Sequence, residues 1–103
     1  MTPAMNPEDA QRLLAENRAK IDALDRKIVD LLNERTKMAV EIGRAKMVLA
    51  SPVVEPRRED NVFRNVTVHN KGPMPDDALK RIYECIILEM RALQNMRRES
   101  EQQ

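Results

Sequence analysis

Polar side chains occupy positions of this sequence where a helical pattern calls for apolar residues, and their types could bind an anion. Arg35 lies seven residues after Ile28 and seven before Ile42, on the apolar stripe of a predicted long helix. Lys46 follows Arg35 by eleven residues, a rotation of only about 20° around the helix axis, so both cations are predicted to point inward. Buried cations are unfavourable without a partner, and this stripe offers no matching carboxylate. An anionic ligand would supply one.

Two further helices contribute polar residues to the same inward side. Arg58 and Glu59 precede Val62 and Phe63 by four residues, which places them on the inward edge of a second helix. Arg58 stands at the start of that helix, where the dipole disfavours a cation by up to roughly 1 kcal/mol unless an anion is near. Gln94 lies on the apolar stripe of a third helix. Together these residues predict a site for a small dianionic substrate.

Each of these residues has a simpler explanation when it is taken alone. Arg35 could fix the register of a coiled coil, and Lys46 could extend its amine to the surface. Gln94 could form a hydrogen bond between helices. Because all of them can converge on one pocket, the set favours ligand binding over these separate roles.

The first helix is predicted over residues 7–49. Asn6 can cap it, and Pro7 suits the first helical position. No further proline occurs until Pro52, and Gly43 weakens the helical pattern without breaking it. A seam of apolar residues follows the helix at spacings of three and four for about five heptads. The seam comprises Leu14, Ile21, Leu24, Ile28, Leu31, Met38, Ile42, Ala45 and Leu49.

Two shorter helices complete the predicted fold. The second is expected over residues 56–70, with Gly72 as the residue beyond its last turn, and the third over residues 75–98. The chain is therefore predicted to be all-α, a single domain of three helices spanning residues 1–103. The stripe expected to be buried on the third helix comprises Leu79, Ile82, Tyr83, Ile86, Ile87, Met90 and Leu93.

The length of the first helix predicts a second copy of the chain. A helix over residues 7–49 would be roughly 60 Å long, whereas a compact chain of this size has a radius of gyration of about 13 Å. The remaining half of one chain cannot cover such a rod. We therefore predict an intertwined homodimer.

Charge and composition exclude several classes of partner. The chain has 18 Lys and Arg against 17 Asp and Glu, a net charge of +1, and the two signs are interspersed. Neither nucleic acid nor an anionic membrane is therefore an expected partner. No apolar run approaches the ~20 residues that span a bilayer, and the N-terminus lacks the pattern of a signal peptide. The expected location is the cytoplasm.

The single histidine and the single cysteine predict neither a metal site nor a nucleophile. His69 is expected at the surface, and it has no clustered partner with which to bind a metal. Cys85 is expected to be a small buried thiol beside Ile86, with no neighbouring base to activate it.

Two stretches, "ENRAKIDALDRKIVDLLNERTKMAVEIGRAK" and "PVVEPRRE", form a multi-part motif. They contain an arginine in the first turns, then "L..ER...A..IG..K", then "P.....RE". This arrangement closely resembles the all-helical class of chorismate mutase over residues 13–63, and "GPMPDDALKRIYECIILEMRALQ" continues the resemblance through the third helix. The resemblance implies the rearrangement of chorismate to prephenate for phenylalanine and tyrosine biosynthesis.

The implied reaction sets the implied roles. Chorismate is a dicarboxylate, and its rearrangement is a pericyclic shift within one molecule that needs no nucleophile and no cofactor. Holding a reactive conformer and donating hydrogen bonds to the ether oxygen, where negative charge develops, would accelerate it. The resemblance implies that Arg35, and Arg18 of the partner subunit, bind the two carboxylates. It implies that Lys46 and Gln94 donate to the ether oxygen, with Lys46 contributing more.

At the opening of the second helix, the resemblance implies that Glu59 accepts a hydrogen bond from the ring hydroxyl and that Arg58 helps to hold the substrate. Glu55 falls on a position that is usually acidic, one methylene longer than the Asp of some relatives. Pro56 stiffens the entry to the helix, and Met90 stands where some members carry a small or hydroxyl side chain. These departures are expected to change affinity rather than reaction type.

Two other functions fit parts of the sequence. An isochorismate pyruvate-lyase of the same fold would bind a substrate isomer with the same carboxylate contacts, although the "RRE" opening favours the mutase. A non-catalytic helical regulatory partner of a shikimate-pathway enzyme would not need Lys46, Glu59 and Gln94 together. A chain of 103 residues is expected to hold no fused dehydratase or dehydrogenase domain.

Overall fold

The computed structural model describes residues 4–101, which form three α-helices and no strand. They are α1 (Pro7–Val48), α2 (Pro56–His69) and α3 (Asp76–Glu101). The predicted all-α fold is confirmed, and α3 continues to Glu101, beyond the expected end at residue 98. None of the described helices is long and apolar enough to cross a membrane.

The start of α1 follows the predicted cap. The Asp9 amide donates to Asn6 Oδ1 at 2.8 Å, and the Ala10 amide donates to the Asn6 carbonyl at 3.0 Å. Pro7 occupies the first helical position, where its missing N–H costs no hydrogen bond. Asp9 also pairs with Arg12, one turn farther along. These local contacts fix where the helix begins.

The chain divides into two units, one ending at Arg35 and one beginning at Thr36. In the first unit, the predicted seam of α1 is open to solvent. The exposed fractions of its residues lie between 52% and 62%. The expectation that these residues form an apolar seam stands, but the first unit itself does not bury them. These exposed seam residues are Leu14, Ile21, Leu24, Ile28 and Leu31.

In the second unit, the last part of α1 packs closely against α3. Ala39, Val53 and Ile87 are buried there, and so is Gly43. A Cβ atom added at Gly43 would lie 3.0 Å from Cγ of Gln94. The glycine that weakens the helical pattern of the sequence therefore permits the approach of α3.

The chain leaves α1 through a Schellman motif, in which two backbone amides beyond the helix bond back to its last turn. The Ala50 amide donates to the Met47 carbonyl at 3.1 Å, and the Ser51 amide donates to the Lys46 carbonyl at 2.8 Å. Ala50 has φ +53°, in the left-handed region that such a motif requires and that glycine usually occupies. This turn sends the α1–α2 loop back toward the end of α1.

α2 ends one residue before the predicted residue 70, but the prediction that Gly72 is the residue beyond its last turn is wrong. The helix ends at His69, and its C-cap is Asn70, which has extended backbone. The Asn70 side chain bonds across the following turn, donating to the Met74 carbonyl at 2.8 Å and to Asp76 Oδ1 at 2.7 Å. Gly72, with φ +74°, lies within that turn. An asparagine that bridges the turn thus replaces the glycine cap.

The stripe on α3 is largely as predicted. Ile87 is buried and most of the other stripe residues are half-buried, whereas Ile82 is exposed. Cys85 is exposed, so the prediction of a buried thiol is wrong. It lies two residues from Ile87, about 200° around the helix, which places it on the opposite face. His69 is exposed, as expected.

Candidate active site

Lys46 is the centre of a polar cluster in the second unit. Its ammonium nitrogen Nζ lies 2.8 Å from Glu55 Oε1, 2.8 Å from the Val53 carbonyl oxygen and 3.3 Å from Gln94 Oε1. Only 12% of its side chain is exposed. An ammonium group has three hydrogens, and these three acceptors match them. The prediction that Lys46 points inward is confirmed.

The apolar stripe offers Lys46 no carboxylate, but the loop that follows α1 does. Glu55, in the α1–α2 loop, provides one, and its own side chain remains 46% exposed. This carboxylate comes from the loop, nine residues farther along the chain, and not from the helical stripe. The turn at Ala50 brings it back, since the Lys46 carbonyl closes the Schellman motif while the Lys46 ammonium binds Val53 and Glu55.

Gln94 lies on the core side of α3, as predicted, and its amide is fixed at both ends. Nε2 donates to the Ala39 carbonyl at 2.8 Å, and Oε1 accepts from Lys46. The residue is buried, with 8% exposure. Gly43 provides the space beside its aliphatic stem. The amide orientation therefore depends on three positions of α1.

Glu59, in the first turn of α2, makes an ion pair that the sequence did not reveal. Both carboxylate oxygens contact Arg91 of α3, with Arg91 Nε 2.7 Å from Oε2 and Nη2 bonded to Oε1. The hydrogen bonds with Glu59 raise the pKa of Arg91 above its ordinary value. The sequence held one signal that Arg91 lies close to the site. It precedes Gln94 by three residues, so the two side chains are neighbours on the same helix.

Arg58 does not share the inward edge of α2, contrary to the prediction. It is exposed, because one residue of rotation separates it from half-buried Glu59. It lines an open surface hollow of about 480 Å³ that Glu55 also lines. Arg57 lies on the same hollow and is exposed.

The remaining predicted site residues have different surroundings. Arg18 and Arg35 belong to the first unit, where Arg18 is exposed and Arg35 is half-buried. Met90 is half-buried in the second unit, and its sulfur accepts a weak hydrogen bond from the Thr36 hydroxyl at 3.8 Å. Within residues 4–101, no group of three or more His, Cys, Asp or Glu side chains is arranged to hold a metal ion.

Comparison with known proteins gives a consistent result. The family model described as chorismate mutase type II matches residues 17–95. A bifunctional chorismate mutase/prephenate dehydratase of Neisseria gonorrhoeae is 39% identical over 82 residues, covering 80% of this chain and 22% of that protein. A chorismate mutase of Methanocaldococcus jannaschii is 33% identical over 82 residues, covering 79% of this chain and 83% of that protein.

A solved structure has a similar fold. The chorismate mutase (form II) of Thermus thermophilus matches with a TM-score of 0.77 and 30% identity, covering 80% of this chain and 93% of that chain. This chain spans about a fifth, 22%, of the length of the bifunctional relatives from N. gonorrhoeae and Aquifex aeolicus. All of these matches carry the words chorismate mutase in their descriptions.

Proposed function

We propose that this chain, which belongs to the chorismate mutase type II family, catalyses the rearrangement of chorismate to prephenate. The observation that carries the proposal is a pair of adjacent polar groups, the nearly buried ammonium of Lys46 and the buried amide of Gln94. Lys46 Nζ lies 3.3 Å from Gln94 Oε1. Both groups can donate hydrogen bonds to one small acceptor. The reaction needs such donors because negative charge develops on the ether oxygen as its C–O bond breaks.

The free chain shows what the substrate has to replace. All three hydrogens of Lys46 have protein acceptors, so the ether oxygen must displace one of them. We assign this exchange to Glu55, because its carboxylate is 46% exposed and can be solvated when it leaves. The Gln94 amide nitrogen has two hydrogens, and the bond to Ala39 uses one. The second hydrogen is then the donor to the ether oxygen.

The charged groups around this pair would orient the rest of the substrate. Glu59 is assigned to the ring hydroxyl, since its carboxylate accepts hydrogen bonds. Arg58 is assigned to the rim, where it lies on the same hollow as Glu55. Arg35, and Arg18 of the partner subunit, are assigned to the two carboxylates, because a guanidinium binds two oxygens at once. The substrate is thus held by the cations that the chain itself leaves exposed or half-buried.

The proposal includes a homodimer that completes the site. Support comes from the apolar seam of α1, which is exposed at 52–62% in the first unit. A contiguous apolar surface of this kind is typical of an interface. Sedimentation of the purified chain is expected to give a dimer at micromolar concentration, and a stable monomer would contradict this part of the proposal.

Subunit sharing has its own test, which mixes two inactive variants. Arg18→Ala and Lys46→Ala are each expected to be inactive. After the two are unfolded together and refolded, half of the dimers would be mixed, and each mixed dimer would contain one intact site. About a quarter of the wild-type activity should therefore return. Mixed preparations with no more activity than the separate variants would show that Arg18 and Lys46 do not act in a shared site.

The reaction itself is tested by offering the purified chain chorismate and, separately, isochorismate, with products identified by chromatography. Prephenate formed from chorismate is the expected result. Pyruvate formed only from isochorismate would establish the lyase instead. If neither substrate reacted with the dimeric, folded chain, the mutase proposal would be wrong and a regulatory binding role would be tested by pull-down.

A further inference from the structure

The ion pair between Glu59 and Arg91 joins α2 to α3 and is not itself part of the chemistry proposed above. The Glu59 side chain is 18% exposed and that of Arg91 is 30% exposed. Arg91 Nε contacts Oε2 at 2.7 Å while Nη2 contacts Oε1. Because the planar guanidinium binds both oxygens, it fixes the plane of the carboxylate as well as its position.

This contact leaves Glu59 able to bind a ligand. A carboxylate offers about four lone-pair positions on its two oxygens, and the two hydrogen bonds from Arg91 use one on each. Glu59 can therefore be held by Arg91 and still accept a hydrogen bond from a hydroxyl group. The pair restricts the rotation of the glutamate without occupying it completely.

The position of Arg91 on α3 connects this pair to the donors of the site. Gln94, three residues later on the same helix, is fixed by Ala39 and bonded to Lys46. One rigid helix thus supports the amide assigned to the ether oxygen and the arginine that holds Glu59. A side chain fixed in this way sets the distance between the two binding points, which matters because catalysis here depends on conformer selection.

We propose that Arg91 is a positioning residue, which holds the Glu59 carboxylate in the orientation that accepts a hydrogen bond from the ring hydroxyl of the substrate. This inference rests on the proposed function, because it needs Glu59 to contact the substrate. The Arg91 guanidinium is cationic, as arginine is throughout the working pH range, and its hydrogen bonds to Glu59 raise its pKa further.

The test is a double-mutant cycle that measures kcat and KM for chorismate with the wild-type chain, Arg91→Met, Glu59→Ala and the combined variant. Arg91→Met is expected to lower kcat/KM roughly 10- to 100-fold, the scale of a displaced binding group. In the Glu59→Ala background the same substitution is expected to change kcat/KM by less than about twofold, because no carboxylate is left to position. An equal loss in both backgrounds would overturn the inference, since Arg91 would then act independently of Glu59.

Two further variants separate orientation from charge and from general stability. Arg91→Lys keeps the charge but cannot bind both oxygens with a planar group, so it is expected to recover only part of the lost activity. Full recovery would overturn the positioning role. As a control, Arg44→Met removes an arginine whose Nη1 contacts both oxygens of Glu41 at 3.1 Å on exposed α1. It is expected to leave kcat/KM unchanged.

Thermal unfolding of every variant ensures that the comparison uses folded protein, and Arg91→Gln replaces Arg91→Met if the latter does not fold. The wild-type measurement distinguishes a failure of the proposed function from a failure of the positioning role of Arg91. A wild-type chain that does not convert chorismate overturns the proposed function and the inference together. An active wild-type chain with an additive cycle overturns the inference alone.

Discussion

The two units of the chain use the same helix type in opposite ways. In the first unit, α1 carries apolar side chains such as Ile28 that are more than half exposed. In the second unit, polar side chains such as Lys46 and Gln94 are nearly buried, and each is bonded to several partners. The first arrangement is favourable only if another surface covers it, whereas the second is satisfied by the chain itself. Substitutions on the seam should therefore disrupt association, and with it the shared site, whereas substitutions in the polar cluster should affect the chemistry without affecting association.

The largest expected effect comes from a charge placed on the seam. Ile28→Lys should disrupt dimer formation, because each copy loses a side chain that the proposed interface would bury, at about 1.5–3 kcal/mol each, and places a cation on that interface instead. The matched control is Val29→Lys, a neighbouring α1 residue that is equally exposed but off the seam. Sedimentation equilibrium should show a strongly weakened dimer for the first variant only. Equal behaviour of the two variants would mean that the seam is not the interface.

The second-largest effect is expected when the central cation of the second unit is removed. Lys46→Ala should reduce kcat by roughly 10²–10³-fold, about 3–4 kcal/mol, as expected for loss of a donor to developing negative charge. Circular dichroism should show the helices intact, because the backbone turn at the end of α1 does not use the Lys46 side chain. Lys71→Ala, in the exposed α2–α3 loop, is the control. Near-normal turnover by Lys46→Ala would exclude its proposed role.

Local sequence signals predicted the elements of this fold, and tertiary contacts decided the rest. The Asn6 cap and the all-α pattern depend on neighbours along the chain, so they could be identified directly. The inward positions of Lys46 and Gln94 followed from helical periodicity, which is also local. The family motif supplied the assigned roles, which periodicity does not contain. Neither periodicity nor the motif could supply the identity of the side chain that pairs with each of these residues.

Those partners come from distant parts of the chain. The carboxylate of Glu55 reaches Lys46 only because the backbone turns at Ala50, and no side-chain pattern indicates an alanine with positive φ. Arg91 finds Glu59 across a separation of 32 residues. The errors at Cys85 and Gly72 have a similar origin, since residue type was used where helix rotation and a side-chain bridge decided the structure.

A smaller effect tests how closely α1 and α3 approach. Gly43→Ala would place a Cβ 3.0 Å from Gln94 Cγ, and Gln94 cannot move away without losing its bond to Ala39 or Lys46. The overpacking costs about 1–3 kcal/mol, against a gain of about 1 kcal/mol in helix propensity. The variant is therefore expected to lose roughly tenfold in kcat/KM, and its unfolding free energy should fall by about 0–2 kcal/mol, the overpacking cost less the gain in helix propensity.

The same substitution can be repeated where the clash is absent. In a Gln94→Ala background, the Cγ atom that Gly43→Ala would meet no longer exists. The substitution should then stabilise the chain by up to about 1 kcal/mol, as alanine does in a helix interior. Urea denaturation measures both values. If Gly43→Ala were equally unfavourable in both backgrounds, the space beside Gln94 would not be the reason for the glycine.

The smallest effect concerns the turn that returns the loop to Lys46. Ala50 has φ +53°, a conformation that costs an L-residue about 1–2 kcal/mol and glycine almost nothing. Ala50→Gly should therefore stabilise the second unit, by about 0.5–1 kcal/mol after the greater flexibility of glycine in the unfolded chain is counted. Ala19→Gly, in the interior of α1 in the first unit, should destabilise by about 0.5–1 kcal/mol, because there the residue is helical. Urea denaturation measures the change in unfolding free energy for both variants. A gain for Ala50→Gly and a loss for Ala19→Gly would show that the backbone at the end of α1 is held in the left-handed region. Equal destabilisation would mean that the turn positioning Val53 and Glu55 relaxes in solution.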